Sequence, residues 1–294
     1  MRYAYYPGCS LTESAREYDD STRAVLGLLG AELNEIPDWT CCGASAVESV
    51  SRLLTYSLPA RNMALAEREF GDADLLAPCS ACYLNLRRVQ EDASTDKELL
   101  REINEVLSAE GLSYAASANV RHLLDVLVND VPAQDITAKV EAEREDLVIA
   151  PYTGCQALRP YKVFDDPEQP EALGNVLQAL GVTVHDWDMG GRCCGASLMA
   201  TKKEAALASV AAILDAAGDA DAIVTVCPMC QMNLDAYQGQ ALRRARRDEP
   251  LSILYLPQLM GVLMGVSHKE LGLGKNLKVT AGFLRKLGQA SVPA

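Results

Sequence analysis

The chain is short of positive charge. Its 27 Lys and Arg residues stand against 40 Asp and Glu, a formal net charge of -13. Duplex nucleic acid is recognised by clustered cations that neutralise phosphates, and here the field of the whole molecule would oppose that contact, so no nucleic-acid partner is expected. One local exception, Arg243-Arg244-Ala245-Arg246-Arg247, reads either as a solvated helix end complementing the C-terminal dipole or as a docking patch. Long apolar runs are also missing. The longest, around Leu256 to Val266, is too short to span a bilayer, so no transmembrane segment is expected and membrane association would come through a partner. The N-terminus, MRYAYYPGC, has no basic region, apolar core or small-residue cleavage site of a signal peptide, which points to the cytoplasm. No G-x-G-x-x-G fingerprint and no C-x2-C-x2-C-x3-C ferredoxin run occurs, so the chain is not expected to collect electrons from a nicotinamide by itself. Histidine is scarce: His122, His185 and His268 are all there are.

What the chain does have is a sizeable apolar fraction, 49% of 294 residues, and ten cysteines. That size suits one large or two medium globular domains. The cysteine content lies below that of a disulfide scaffold, and a reducing compartment disfavours structural disulfides, so metal or redox chemistry is the leading explanation.

The second half restates the first. YYPGC at Tyr5 to Cys9 is echoed by YTGC at Tyr152 to Cys155, the doubled cysteine of WTCCGAS (Cys41, Cys42) by that of RCCGAS (Cys193, Cys194), and PCSAC (Cys79, Cys82) by VCPMC (Cys227, Cys230). Such self-similarity marks a duplicated structural unit. Each copy reads as strand, cysteine loop, helix, strand, double-cysteine loop, helix, strand, C-x-x-C, helix. The first helix has a polar start at Asp19-Asp20-Ser21 and a stop at Gly30. The runs DLLAP and DAIVTV are short and continuously apolar or β-branched, as in strands covered on both faces. Alternation of such strands with helices implies an α/β fold of two pseudo-symmetric halves with parallel sheets. Boundaries are expected at 1–140, 146–270 and a C-terminal tail 271–294, with a polar connector from Pro132 to Asp146.

In open α/β sheets the loops leaving the C-terminal strand ends share one edge, so Cys9, Cys41, Cys42, Cys79 and Cys82 are expected to converge, as are Cys155, Cys193, Cys194, Cys227 and Cys230. A C-x-x-C at a helix start places both sulfurs on one face beside free N–H groups, which favour thiolates or an anionic cluster. A structural zinc closes its tetrahedron with four ligands, and a cubane iron-sulfur cluster also takes four, leaving one sulfur over in each half. A multinuclear cluster of another shape can use five thiolates, because adjacent cysteines can bind different metal atoms. Zinc at one site stays open beside iron and sulfide.

The full pattern, C-x31-C-C-x36-C-x-x-C and then C-x37-C-C-x32-C-x-x-C, resembles the duplicated CCG cysteine-rich domain in the B subunit of heterodisulfide reductase over nearly the whole chain, up to about residue 270. The resemblance implies two non-cubane 4Fe-4S clusters, each held by the five cysteines of one half and facing each other across a disulfide-binding cavity. It implies a catalytic subunit that reduces, or in reverse forms, a disulfide of two small thiols by one-electron steps. Implied partners are a ferredoxin-like subunit with cubane 4Fe-4S clusters and a flavoprotein. An alternative role is electron relay in a flavin-dependent hydroxyacid, succinate or glycerol-phosphate oxidoreductase, where CCG domains also occur.

Among the remaining residues, His185 precedes the second doubled cysteine and reads as a general acid or as a strand-end histidine. His122 looks like a helix-start residue. Trp39 and Trp187 occupy matching places, where cluster shielding and core packing are both open. Gly8, Gly43, Gly154 and Gly195 are expected to let the backbone approach the sulfurs. The tail reads as a partner-binding arm or a frayed terminus.

Overall fold

The computed structural model describes residues 1–44, 46–244 and 249–288. In the first half β1 (Arg2–Tyr5) leads through α1 (Gly8–Thr12) and α2 (Arg16–Leu28) to β2 (Glu32–Glu35). There follow α3 (Arg52–Phe70), β3 (Leu75–Ala77), α4 (Ser80–Thr95), α5 (Lys97–Leu107), β4 (Val120–His122), α6 (Leu123–Asn129) and α7 (Ala133–Thr137). The second half runs β5 (Arg144–Tyr152), α8 (Ala172–Ala179), β6 (Val182–Val184), α9 (Lys203–Ala216), β7 (Ala222–Thr225), α10 (Pro228–Ala236), α11 (Gln238–Ala241), β8 (Ser252–Tyr255), α12 (Leu256–Leu263) and α13 (Ala281–Lys286).

Each half is a four-stranded, all-parallel sheet, in the orders β2-β1-β3-β4 and β6-β5-β7-β8. The central strands β3 and β7 are buried along their whole length, as continuous apolar runs in a doubly covered sheet should be. The order reverses between β1 and β3, and again between β5 and β7, so each sheet opens a crevice beyond those strand ends. Cys9 and the Cys79/Cys82 pair leave the two strands of the first crevice, and Cys155 and the Cys227/Cys230 pair those of the second.

Three strands per half are expected from the sequence pattern, and each sheet has a fourth. The segments VRH and SILY are too short to show a period, and each runs straight into an apolar helix that hides its end. Helix α2 begins at Arg16, before the polar run expected to start it. Asp19 is no cap: it is buried and accepts from Tyr5 Oη at 2.6 Å and Arg23 Nε at 2.9 Å. The connector carries α7, and β5 is already under way by Arg144. The tail is neither free arm nor frayed end as far as residue 288. Phe283 and Leu284 are buried there, and Asn276 donates to the Ile253 carbonyl at 2.8 Å. Of the basic run, Arg244 pairs with Glu204, while residues 245–247 lie outside the described residues.

The halves are not separate bodies. One apolar core takes Leu26 and Leu124 from the first and Leu147, Leu254 and Leu259 from the second, with α2 packed on α12 and α6 on α8. Shared burial of this kind makes the two halves unfold together. Calorimetry should therefore show one thermal transition, and Leu26→Ala should destabilise the fold by about 2–5 kcal/mol and lower that transition without splitting it. Two separated transitions would contradict the shared core.

Candidate functional site

At the edge of the first sheet Cys42 Sγ lies 3.4 Å from Cys82 Sγ, and Cys9 Sγ lies 3.7 Å from Cys41 Sγ. In the second, Cys194 Sγ stands 3.5 Å from Cys230 Sγ. Cys155, Cys193, Cys194, Cys227 and Cys230 line one cavity of about 50 Å³, which Ser80 of the first half also reaches. All ten cysteines are free thiols. Each nest has a buried floor and an open mouth: Cys9, Cys41 and Cys193 are exposed, while Cys42, Cys79, Cys82, Cys194, Cys227 and Cys230 are buried.

The backbone is shaped around these sulfurs. Gly8 and Gly154 sit at φ +72° and +75°, and a Cβ on either would lie 2.7 Å from Cys82 Sγ or 3.1 Å from Cys230 Sγ. A side chain at Gly8 would collide with its sulfur, and one at Gly154 would crowd its own. After each doubled cysteine a glycine turns its N–H back onto the first sulfur, Gly43 to Cys41 at 3.4 Å and Gly195 to Cys193 at 3.3 Å. Cys79 and Cys227 cap the N-termini of α4 and α10, where unsatisfied N–H groups favour negative charge, and Pro228 occupies the first helical position at no hydrogen-bonding cost.

The thiols share protons. Contacts with the Cys41 and Cys82 thiols hold Cys42 well below the ordinary thiol range, and Cys41 and Cys82 are pushed up in return. In the second nest the Cys155 thiol, helped by the Gly195 N–H, lowers Cys193 to about 6. Cys230 thiol and the N–H groups of Cys230 and Met229 bring Cys227 to about 7. A soft, all-sulfur donor set already partly anionic fits thiophilic metal, whose binding displaces the remaining protons. Among the described residues, no group of three or more His, Cys, Asp or Glu side chains has the geometry of a single-ion site.

Several supporting residues were not singled out in the sequence, although the repeat marks them. Tyr6 and Tyr152 donate to the carbonyls before the doubled cysteines, Thr40 O at 2.7 Å and Arg192 O at 2.6 Å. Asn85 and Asn233, three residues after the last cysteine of each half, donate to Cys42 O at 3.0 Å and Cys194 O at 2.8 Å. Nine residues after Cys9 comes Tyr18-Asp19-Asp20, and nine after Cys155 comes Phe164-Asp165-Asp166. Tyr18 stacks on Tyr255 with centroids 4.2 Å apart, and Phe164 stacks on His122 at 5.8 Å, both pairs nearly parallel and both crossing between the halves.

The other expected residues separate clearly. Trp39 and Trp187 each set an edge against Tyr6 or Tyr152 and so brace the tyrosine behind the doubled cysteine. His185 lies at the end of β6 and donates from Nε2 to Ala216 O at 3.0 Å; its neighbours are Trp187 and Gly218, not the sulfurs. His122 ends β4 and caps α6 as the Nδ1 acceptor of the Leu124 N–H at 3.2 Å, and burial pushes its pKa down to about 4, so it is neutral at ordinary pH. His268 is buried, and neither ring nitrogen has a partner among the described residues.

Residues 3–87 and 149–235 match the CCG family, described as a cysteine-rich domain. The chain is 36% identical over 279 residues, 94% of its length and 96% of the relative, to the 8-methylmenaquinol:fumarate reductase membrane anchor subunit of Wolinella succinogenes. It is 28% identical to a protein of Archaeoglobus profundus named as being like the B subunit of heterodisulfide reductase, covering 92% of this chain and 93% of that one. To the B subunit of the ferredoxin/F(420)H(2)-dependent CoB-CoM heterodisulfide reductase of Methanosarcina acetivorans it is 26% identical, with 99% and 98% covered. A crystal structure of a hypothetical protein from Helicobacter pylori superposes with a TM-score of 0.76 at 17% identity, covering 95% of this chain and 52% of that one; this likeness shows the fold alone. With one matched segment in each half, and each holding a complete set of five cysteines, the chain belongs to the CCG cysteine-rich domain family.

Proposed function

We propose that this chain is the redox subunit of a heterodisulfide reductase-like complex, in which each half holds a non-cubane 4Fe-4S cluster on its five cysteines and a disulfide of two small thiols is reduced, or in reverse formed. The observation that carries the reading is the completeness of both sulfur sets, each gathered at a sheet switch point with an open mouth. A lone site would suffice for passing electrons, whereas two products of one disulfide need two places to go. Three relatives named for the B subunit of heterodisulfide reductase support the same reading.

Such clusters, when bound, supply electrons one at a time. The chain's own residues divide the remaining work. Cys42, Cys79, Cys82, Cys194, Cys227 and Cys230 form the water-excluded floor, and the exposed Cys9, Cys41 and Cys193 border the side that a small thiol can reach. The Gly43 and Gly195 N–H groups offset negative charge on the mouth sulfurs. Reduction balances as one disulfide plus two electrons and two protons giving two thiols. With no ferredoxin run in the sequence, the electrons come from a partner with cubane clusters and, upstream, a flavoprotein. The protons come from solvent at the mouth. Zinc at one site is the less fitting occupant, since five sulfurs exceed its four positions. A reducing compartment keeps such cysteines free to bind metal, so we place the protein in the cytoplasm, attached to any membrane through a partner. Among the described residues no helix is long and apolar enough to cross a membrane.

The 36% identity to a subunit named for a quinol:fumarate reductase favours a second reading, electron relay within a flavin-dependent oxidoreductase of succinate, a hydroxyacid or glycerol phosphate. The two separate on one experiment with reduced protein prepared anaerobically. Small disulfides should be consumed and produce a new paramagnetic signal under the first reading. Neither effect, together with reoxidation through a fumarate- or hydroxyacid-linked flavoprotein, identifies the relay.

Cys41→Ser and Cys42→Ser should each remove about half of the bound iron and leave the other nest loaded, by iron and sulfide analysis. Full iron in both variants would mean that the doubled cysteine does not ligate. Gly8→Ala should lower first-nest loading more than Gly154→Ala lowers the second, because its new Cβ would meet sulfur at 2.7 Å rather than 3.1 Å. Equal loading in both would contradict that steric account.

A further inference from the structure

Buried hydroxyls tie the two nests together across the seam, and one of them reaches both cysteine loops at once. Tyr18 on α2 is fully buried, and its Oη lies 3.0 Å from Pro78 O and 3.1 Å from Val226 O. These two carbonyls are equivalent in the repeat, each immediately preceding the cysteine that caps a C-x-x-C helix, Cys79 in one half and Cys227 in the other. A phenol has a single proton, so carbonyls at nearly equal distance share it. The bridge is thus common to both halves. Ser80 reinforces the far side, donating to Val226 O at 3.1 Å and accepting from His122 Nε2 at 3.2 Å, the tautomer fixed by the Leu124 N–H on Nδ1.

The repeat supplies an internal control. Phe164 holds the position equivalent to Tyr18 and makes the equivalent stack, against His122, with no hydroxyl at all. Packing across the seam is therefore met by a phenyl ring. A buried hydroxyl must be desolvated and then paired, so its presence on one side only calls for a role beyond packing.

We propose that Tyr18 is a positioning residue: its hydroxyl, shared between Pro78 O and Val226 O, fixes the Cys79 and Cys227 loops relative to each other and carries the electronic coupling between the groups they hold. The path is short and continuous, running from cysteine through one peptide to the hydrogen bond and out through the second peptide to the other cysteine. Electron exchange falls steeply across empty space and less steeply along bonded and hydrogen-bonded atoms. The inference rests on the reading that both nests hold redox clusters.

The test compares wild type with Tyr18→Phe, which keeps the stack on Tyr255 and removes the bridge, and with Ser80→Ala, which keeps the bridge and removes its reinforcement. Iron content, thermal stability, the reduction potential of each cluster and their spin–spin interaction by pulsed paramagnetic resonance are measured on anaerobic protein. Tyr18→Phe should keep full iron and a wild-type fold while the spin–spin interaction falls several-fold and the potentials move; Ser80→Ala should produce a smaller change. Full iron with unaltered coupling and potentials in Tyr18→Phe overturns the role. Loss of iron in Tyr18→Phe overturns it too, making the residue structural only. Wild type with no cluster, or with one nest loaded, instead removes the reading on which the inference stands and the inference with it.

Discussion

Thiols crowded within 3.4–3.7 Å of one another repel once they ionise, and the rest of the molecule is arranged around offsetting that repulsion. The parallel sheet supplies the means. Its strands all end at one edge, so three cysteine-bearing loops meet there, and the helices that follow begin there with free N–H groups. Helix starts at Cys79 and Cys227, the turned-back N–H groups of Gly43 and Gly195, and neighbouring thiols all stabilise the same anionic sulfurs. Gly8 and Gly154 then have their backbones against the sulfurs at positive φ, where a Cβ would collide with Cys82 at the first and crowd Cys230 at the second. An all-sulfur donor set held in this way is suited to soft metal and poorly suited to hard cations.

Duplication gives the second constraint. Two copies of a four-stranded sheet would each leave apolar surface uncovered, and the chain resolves this with a core that spans both, α2 on α12 and α6 on α8, beside a smaller cluster within the second half. Reciprocal aromatic stacks cross the same boundary, Tyr18 on Tyr255 and Phe164 on His122. The two sulfur nests are consequently held in a fixed relation through packed protein, and Ser80 from one half lines the cavity of the other. Rigidity between the two nests follows from the same burial that stabilises the fold.

Much of this was legible in the sequence because cysteine spacing and strand–helix alternation are local signals. The parallel α/β class, the repeat and the grouping of each set of five cysteines could be reasoned from strand-end topology alone. The fourth strands were not, since three or four apolar residues leading straight into a helix carry no period of their own. Nor was the burial of Asp19, whose polarity reads as a helix start until Tyr5 and Arg23 are seen beside it. Asn85 and Asn233 stand in register in the repeat, yet their amides matter only once folding brings them to Cys42 O and Cys194 O. Tyr18 and Phe164 are likewise aligned, but the difference between them takes meaning from two carbonyls that lie far away in sequence.

The two functional readings share one premise, that each half builds a multinuclear site on five sulfurs. Iron-edge anomalous scattering from anaerobically grown crystals tests it most directly. The account predicts two separate iron clusters, one beyond β1 and β3 with Cys9, Cys41, Cys42, Cys79 and Cys82, the other beyond β5 and β7 with Cys155, Cys193, Cys194, Cys227 and Cys230. A single zinc ion bound by four of the five sulfurs in either half, or no metal in one of them, would contradict it.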